Sequence, residues 1–324
     1  MPNTTVIWGR VAVTGLILGA VISSAIAQER SVAVTAIVDH PALDAVRDGV
    51  LAELKANGYE IGKNLKWQGQ SAQGNTGTAA QIARKYVGDN VSVIVPISTP
   101  SAQAAAIVTK TIPIVYSAVG DPVAAGLVKS WQASGTNVTG VSDSVPISWH
   151  LDVIRKVLPT AKRIGVIFNP GEANSAAFVD SLKNRMSSRG YTLVEAPALH
   201  SADVSTAAKS LVGKVDLIFA PTDNTVASAF LSVARVADEA KLPLFAADHG
   251  MVRQGAAFGV GLNYAEIGRQ TGKIVVRILR GEAPGSIPPQ TSAAFEFYVN
   301  ADAAKAQGIT IPRALRETAT QVSK

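Results

Sequence analysis

Short apolar runs alternate with amphipathic stretches along most of this chain, and the two periods can be told apart. Residues 31–38, Ser-Val-Ala-Val-Thr-Ala-Ile-Val, are apolar almost throughout, as a strand covered on both faces of a parallel sheet would be, and they break at Asp39-His40-Pro41. Over residues 43–57, Leu43, Val46, Val50, Leu51 and Leu54 fall on one helical face, and Gly58 supplies a stop. The alternation continues with a weaker strand over 65–69, a helix over 75–87, a strand over 91–97, a helix over 100–108 and a strand over 112–117. Strands joined by helices in this order predict right-handed crossovers and a mostly parallel sheet.

The pattern then repeats. VSVIVPISTPSAQAAA, from Val91, is echoed by VDLIFAPTDNTVASAF, from Val215, and IPIVYSAVGD, from Ile112, by LPLFAADHG, from Leu242. A second opening strand over 163–169 leads through Pro170-Gly171-Glu172 into a helix over 176–189 that ends at Gly190-Tyr191, as the first opening helix ends at Gly58-Tyr59. Gly, Ser and Asn are dense over 134–146, around a short strand at 137–141, and the first crossing between halves is expected there; a helix over 149–158 follows. The predicted class is α/β, with two doubly wound, mostly parallel-sheet lobes joined by a hinge. Residues 28–140 would form the first lobe and 141–263 the second. The tail, with a helix over 265–279 and a strand over 295–299, would be shared between them. Ligands of open α/β sheets bind beyond the carboxyl ends of the strands, so two facing lobes would surround one cleft with two sets of loops.

The first 27 residues stand apart from this scheme. Arg10 precedes the apolar stretch VAVTGLILGAVISSA, which runs into Ala25-Ile26-Ala27 and then Gln28-Glu29-Arg30, the layout of a cleaved export signal. The apolar run is shorter than the roughly 20 residues a spanning helix needs. A periplasmic protein beginning near Gln28 is the expectation. What remains is roughly 300 residues, more than one hydrophobic core usually spans. The chain has no Cys, which excludes disulfides and a lipid-modified cysteine, so the core alone must stabilise an exported fold. Hydrophobic residues make up 47% and aromatics only 6%, as in an Ala/Val-rich α/β protein. The net charge of +6 is scattered along helices without a basic run or interleaved aromatics, which argues against a nucleic-acid partner.

Candidate chemistry gathers at the strand ends. Ser98-Thr99-Pro100-Ser101 opens a helix, where Ser or Thr suits the cap and Pro the first turn; the same geometry attracts a carboxylate or phosphate. There is no GxGxxG and no GxxxxGK[ST]. The matching junction of the second half carries Thr222-Asp223-Asn224, where Asp223 is either a helix cap or a ligand group. Asp121, Asp143 and Asp248 occupy similar strand ends. Hydroxyl and amide donors on one lobe and carboxylates on the other would suit a zwitterion. Catalytic signals are weak: no HExxH-type metal pattern, no GxSxG, and of four histidines only His40 and His249 at strand ends. Neither a metal, a cofactor nor an enzymatic activity is expected.

Several ordered segments carry more than this grammar. His40-Pro41-Ala42-Leu43-Asp44, Thr99-Pro100-Ser101-Ala102-Gln103, Gly120-Asp121-Pro122, Asn137-Val138-Thr139-Gly140-Val141-Ser142-Asp143, Glu172-Ala173-Asn174-Ser175, Asp223-Asn224-Thr225-Val226-Ala227-Ser228 and Gly268-Arg269-Gln270-Thr271-Gly272 together resemble the tryptophan/tyrosine-type solute-binding proteins of ABC importers. The resemblance implies the class I periplasmic-binding fold, with two lobes on a three-stranded hinge. It implies a small-molecule ligand, an amino acid with aromatic ones favoured, an ABC permease in the inner membrane as partner, and a monomer. A same-fold receptor feeding a sensor or regulatory partner is the first alternative and an enzyme the second, less favoured one. Carried over by position, it places His40, Pro41, Leu43, Thr99, Pro100, Ser101 and Asp121 on the first-lobe wall and Ser142 and Asp143 near the hinge. Asn174, Ser175, Asp223, Asn224 and Asp248 fall on the second lobe. Thr99 and Ser101 are the expected ligands of a carboxylate and Asp223 that of an ammonium. The loops offer no Trp or Phe for stacking, which leaves Leu43, Pro100 and Tyr116 as supports for an aromatic ring.

Overall fold

The computed structural model describes residues 1–3, 29–292 and 295–322; the expected export signal from residue 4 to Ala27 and its cleavage site before Gln28 lie outside the described residues. Among the described residues no helix is long and apolar enough to cross a membrane.

The first unit alternates strand and helix: β1 (Arg30–Ala36), α1 (Pro41–Ala56), β2 (Leu65–Ser71), α2 (Thr76–Gly88), β3 (Val93–Ile97), α3 (Thr99–Val108), β4 (Ile114–Ser117) and β5 (Val138–Ser142). The second repeats the scheme with α4 (Ile147–Val157), β6 (Arg163–Phe168), α5 (Ala173–Met186), β7 (Thr192–Pro197), α6 (Val204–Leu211), β8 (Leu217–Ala220), α7 (Asn224–Ser228), α8 (Phe230–Ala240), β9 (Leu244–Ala246), α9 (His249–Arg253) and β10 (Phe258–Leu262). The tail adds α10 (Tyr264–Leu279), β11 (Gln290–Thr291), β12 (Phe295–Val299), α11 (Ala301–Ala306), α12 (Arg313–Thr318) and β13 (Thr320–Gln321).

The strands form two sheets, ordered β2-β1-β3-β4-β5-β11 and β7-β6-β8-β9-β10-β12-β13. All pairings are parallel except β10 with β12. β12 runs the other way because the chain reaches it from the opposite sheet rather than by a helical crossover. The chain passes between the sheets after Ser142, at Asn263 and between Thr291 and Phe295. In both sheets the strand order reverses beside the first strand, so the crevices that such folds use for ligands lie at the β1/β3 and β6/β8 ends.

The tail is divided as its packing requires. α10 lies against α1 with almost no side chain between them: a Cβ on Gly268 would press into the carbonyl of Val46, and one on Gly49 into that of Ala265. β12 and α11 join the second sheet, where Asn300 donates to the carbonyl of Val252 and caps α11 through Ala303.

Differences from the sequence expectation have local causes. The helix anticipated after Asp223 breaks at Ala229, whose φ of −119° and ψ of 17° leave the helical range, and it becomes α7 and α8. β7 has no clear apolar run, since as an edge strand it exposes three of its six residues.

Candidate ligand-binding cavity

The loops after β1, β3, β4 and β5 meet those after β6, β8 and β9 around one cavity, partly open to solvent. Each wall follows from how its strand ends. β1 ends ahead of His40, which caps α1: its Nδ1 accepts from the amide of Ala42 at 3.3 Å. An accepting Nδ1 puts the ring proton of the neutral imidazole on Nε2, and Nε2 is buried with no partner among the described residues.

β3 ends in Ser98, at φ 74° and ψ 161°, and β4 in Ala118, at φ 53°. Residues other than glycine held there cost about 1–3 kcal/mol each and persist where the surroundings over-determine them. The turn at Ser98 aims the start of α3 at the cavity, where first-turn N–H groups have no intrahelical acceptor. Ser98 lines the cavity with Thr99. The Ser98 hydroxyl does not cap α3, and it is buried without a partner among the described residues.

On the opposite wall Asn174 donates through Nδ2 to the carbonyl of Thr222 at 3.1 Å, which leaves its buried Oδ1 without a partner among the described residues. Asp223 is 1% exposed and works hard within its own lobe. Its Oδ2 accepts from the amide of Asn169 at 2.6 Å and the hydroxyl of Ser175 at 2.5 Å, while Oδ1 caps α7 through the amide of Val226 at 2.7 Å. Burial, and then the neighbouring Glu172 carboxylate, push its pKa upward despite these donors. Glu172 accepts from the amide and side chain of Asn224 and from the amide and hydroxyl of Thr225, so it clamps the start of α7.

Two more carboxylates complete the lining. Asp143, just past β5, accepts from the Tyr264 hydroxyl at 2.9 Å. Burial pushes its pKa up to about 6, the Tyr264 and backbone hydrogen bonds oppose this, and the charge of Asp248 adds to it. Asp248 caps α9, accepting from Met251 at 2.8 Å. α9 also brings the lobes together, since a Cβ on Gly250 would sit 3.3 Å from His40 Cε1. Among the described residues that line the cavity there are three aspartates and no Lys or Arg.

Of the residues named from sequence, His40, Leu43, Thr99, Asp143, Asn174, Asp223, Asn224 and Asp248 line this cavity; Pro41, Pro100, Ser101, Asp121, Ser142 and Ser175 do not. Ser142 donates to the carbonyl of Gly120, and Ser175 serves Asp223. Ser101 is fully buried within α3. Asp121 is exposed, caps the turn at Val123 and Ala124, and lines a second cavity instead. Asp143 belongs to the end of a first-sheet strand, so carboxylates occupy both sides. Ser98, read from the sequence as part of the junction opening α3 but not among the residues carried over by position, lines the cavity. Reading the sequence missed Tyr264, which meets Asp143 from 121 residues away.

A second cavity, also partly open to solvent, adjoins the first through Gly120, Asp143, Asn174 and Thr222. Val145, Pro146 and Ile147 of the first crossing, Phe178 of α5 and His150 of α4 line it, with Asp121 and Arg185. Neither Pro100 nor Tyr116 lines either cavity.

Two α/β lobes facing each other across a polar, charged cleft are the architecture of a binding protein. A family model described as ABC transporter substrate binding protein matches residues 31–323, and the chain belongs to that family. It is 40% identical over 279 residues to a tyrosine-binding protein of Clostridioides difficile, a match covering 86% of this chain and 81% of that protein. An ABC domain from Streptococcus pneumonia solved in complex with L-Trp is 30% identical and superposes with a TM-score of 0.87, covering 91% of this chain and 100% of that one. The ligand-free, open structure of a substrate binding protein with adhesive properties from Clostridium difficile is 42% identical and covers 91% and 99%, with a TM-score of 0.70.

Proposed function

We propose that this chain is the exported, non-enzymatic binding component of an ABC importer, which closes its lobes on an amino acid, aromatic ones preferred, and hands it to an inner-membrane permease. The observation that carries the reading is the lining of the first cavity. Buried carboxylates without a Lys or Arg beside them create a site for a cation, since a buried charge needs a partner. The unpartnered Ser98 hydroxyl and the His40 Nε2–H, next to the start of α3, supply donors for a carboxylate. An α-amino acid carries both groups.

In this reading Ser98, Thr99 and His40 hold the carboxylate. Asp143, Asp248, Asp223 and the Asn174 Oδ1 surround the ammonium. Residues up to Ser142 with α10 and β11 form one lobe, and the remainder of the mature chain, starting near Gln28, forms the other. A periplasmic monomer fits the export signal and the family. Similarity to a tyrosine-binding protein and to an L-Trp complex supports an aromatic side chain on the ligand. Calorimetric titration of the mature protein, freed of carried-over ligand by unfolding and refolding, tests the reading. Micromolar or tighter binding of L-tyrosine or L-tryptophan is expected, and absence of binding to every standard amino acid would overturn it.

A further inference from the structure

We propose that the second cavity receives the ligand's side chain and that His150 selects aromatic rings carrying a hydrogen-bonding group, tyrosine or tryptophan, over phenylalanine. The inference rests on the amino-acid reading above and adds a residue that determines specificity. The two cavities meet at Asp143 and Asn174, so a ligand whose charged end lies in the first projects its side chain into the second. Val145, Pro146, Ile147 and Phe178 supply the apolar walls that the strand-end loops lack. Asp121 and Arg185 are exposed, which places them toward solvent.

His150 is 1% exposed and, with Asp143, is a buried polar residue of this lining. Its ring packs edge-on against Phe178, Phe219 and Phe245, with centroids 6.0, 5.4 and 5.7 Å away. Its Nδ1 has no hydrogen-bond partner among the described residues. A buried polar atom left so costs stability unless something completes it. Burial drives the ring's pKa down to about 3, so the imidazole is neutral at physiological pH. A neutral imidazole nitrogen either accepts from a phenol O–H or an indole N–H or donates to a phenol oxygen. Phenylalanine offers it nothing.

Calorimetry on the mature protein with L-tyrosine, L-tryptophan and L-phenylalanine tests this, comparing wild type with His150→Phe, which keeps an aromatic ring among the three phenylalanines. Wild type should bind the better of tyrosine and tryptophan at least about tenfold more tightly than phenylalanine, as loss of one buried hydrogen bond requires. His150→Phe should bring that ratio within about threefold. If an amino acid binds but wild type does not discriminate, or the variant keeps the full ratio, the role of His150 is overturned while the function stands. If none of the three binds and another amino acid does, the aromatic preference falls and this inference with it. Should His150→Phe fail to fold, nitrogen NMR of histidine-labelled wild type decides. The His150 resonance should shift with tyrosine or tryptophan but not with phenylalanine, and an unmoved resonance in a saturated complex would overturn the proposal.

Discussion

Asp223 satisfies three donors with two oxygens, and each oxygen accepts. An asparagine there has one acceptor and one donor, so whichever way its amide turns, an N–H group faces another donor. Capping alone would let Asn replace Asp at little cost; the bonds to Asn169 and Ser175 forbid it. Asp223→Asn is therefore expected to destabilise the ligand-free protein by about 1–3 kcal/mol, measured by urea unfolding, and an unchanged midpoint would mean that these bonds do not hold β6 to β8. Asp143 predicts a pH dependence. Its pKa stands at about 6 in the folded state against the ordinary 3.8, so the folded protein holds this proton more tightly than the unfolded chain does. The resulting stabilisation is full below about pH 4 and is lost as pH rises through about 6. Wild type should thus lose more stability between pH 5 and 7.5 than Asp143→Asn does. An ammonium beside Asp143 reverses the preference by stabilising the ionised form. Amino-acid binding should release a proton near pH 6 and tighten from pH 5 to 7.5, which calorimetry in buffers of different ionisation enthalpy would detect.

Among the elements, the α1/α10 contact is the one most dependent on particular residues. Gly49, Gly268 and Gly272 let the helices approach until backbone meets backbone, and a Cβ on Gly272 would come within 2.6 Å of Glu53 Cβ. α1 carries His40 at its cap, and α10 starts with Tyr264, the donor to Asp143. Spreading the pair would shift two walls of the cavity together. Gly268→Ala, with a Cβ against the Val46 carbonyl, should cost about 1–3 kcal/mol through overpacking and weaken ligand binding as well. Thermal unfolding and calorimetry would check the two effects, and a variant with wild-type melting would show that the helices part freely. The Gly268-Arg269-Gln270-Thr271-Gly272 segment was conspicuous in the sequence; its use as a helix contact required α1 beside it.

For the molecule as a whole, the lobe arrangement bears on how it works. The chain superposes better on the L-Trp complex than on the open, ligand-free relative to which it is more identical, 0.87 against 0.70. That ordering, with His40 and Gly250 close across the cleft, fits a closed form, and three crossings between sheets form a natural hinge. Ligand-stripped protein should open in solution, with a radius of gyration in small-angle scattering that falls on addition of L-tyrosine or L-tryptophan. An unchanged radius at saturating ligand would speak against closure.

The sequence by itself determined the repeated strand–helix order, the parallel sheets and the strand-end loops that meet at the cleft, because apolar periodicity and turn residues act over a few neighbours. His40, Thr99, Asp143, Asn174, Asp223 and Asp248 were legible for that reason: each follows a strand, and strand ends of open α/β sheets point at the crevice. Tertiary structure decided what these groups do. That Asp223 spends both oxygens on its own lobe, that Tyr264 reaches Asp143, and that His150 and Phe178 on helices line a second cavity all depend on contacts between residues far apart in the chain. Which side chains lose water, and which of those lose it without gaining a partner, is a property of the packed whole that no local pattern encodes.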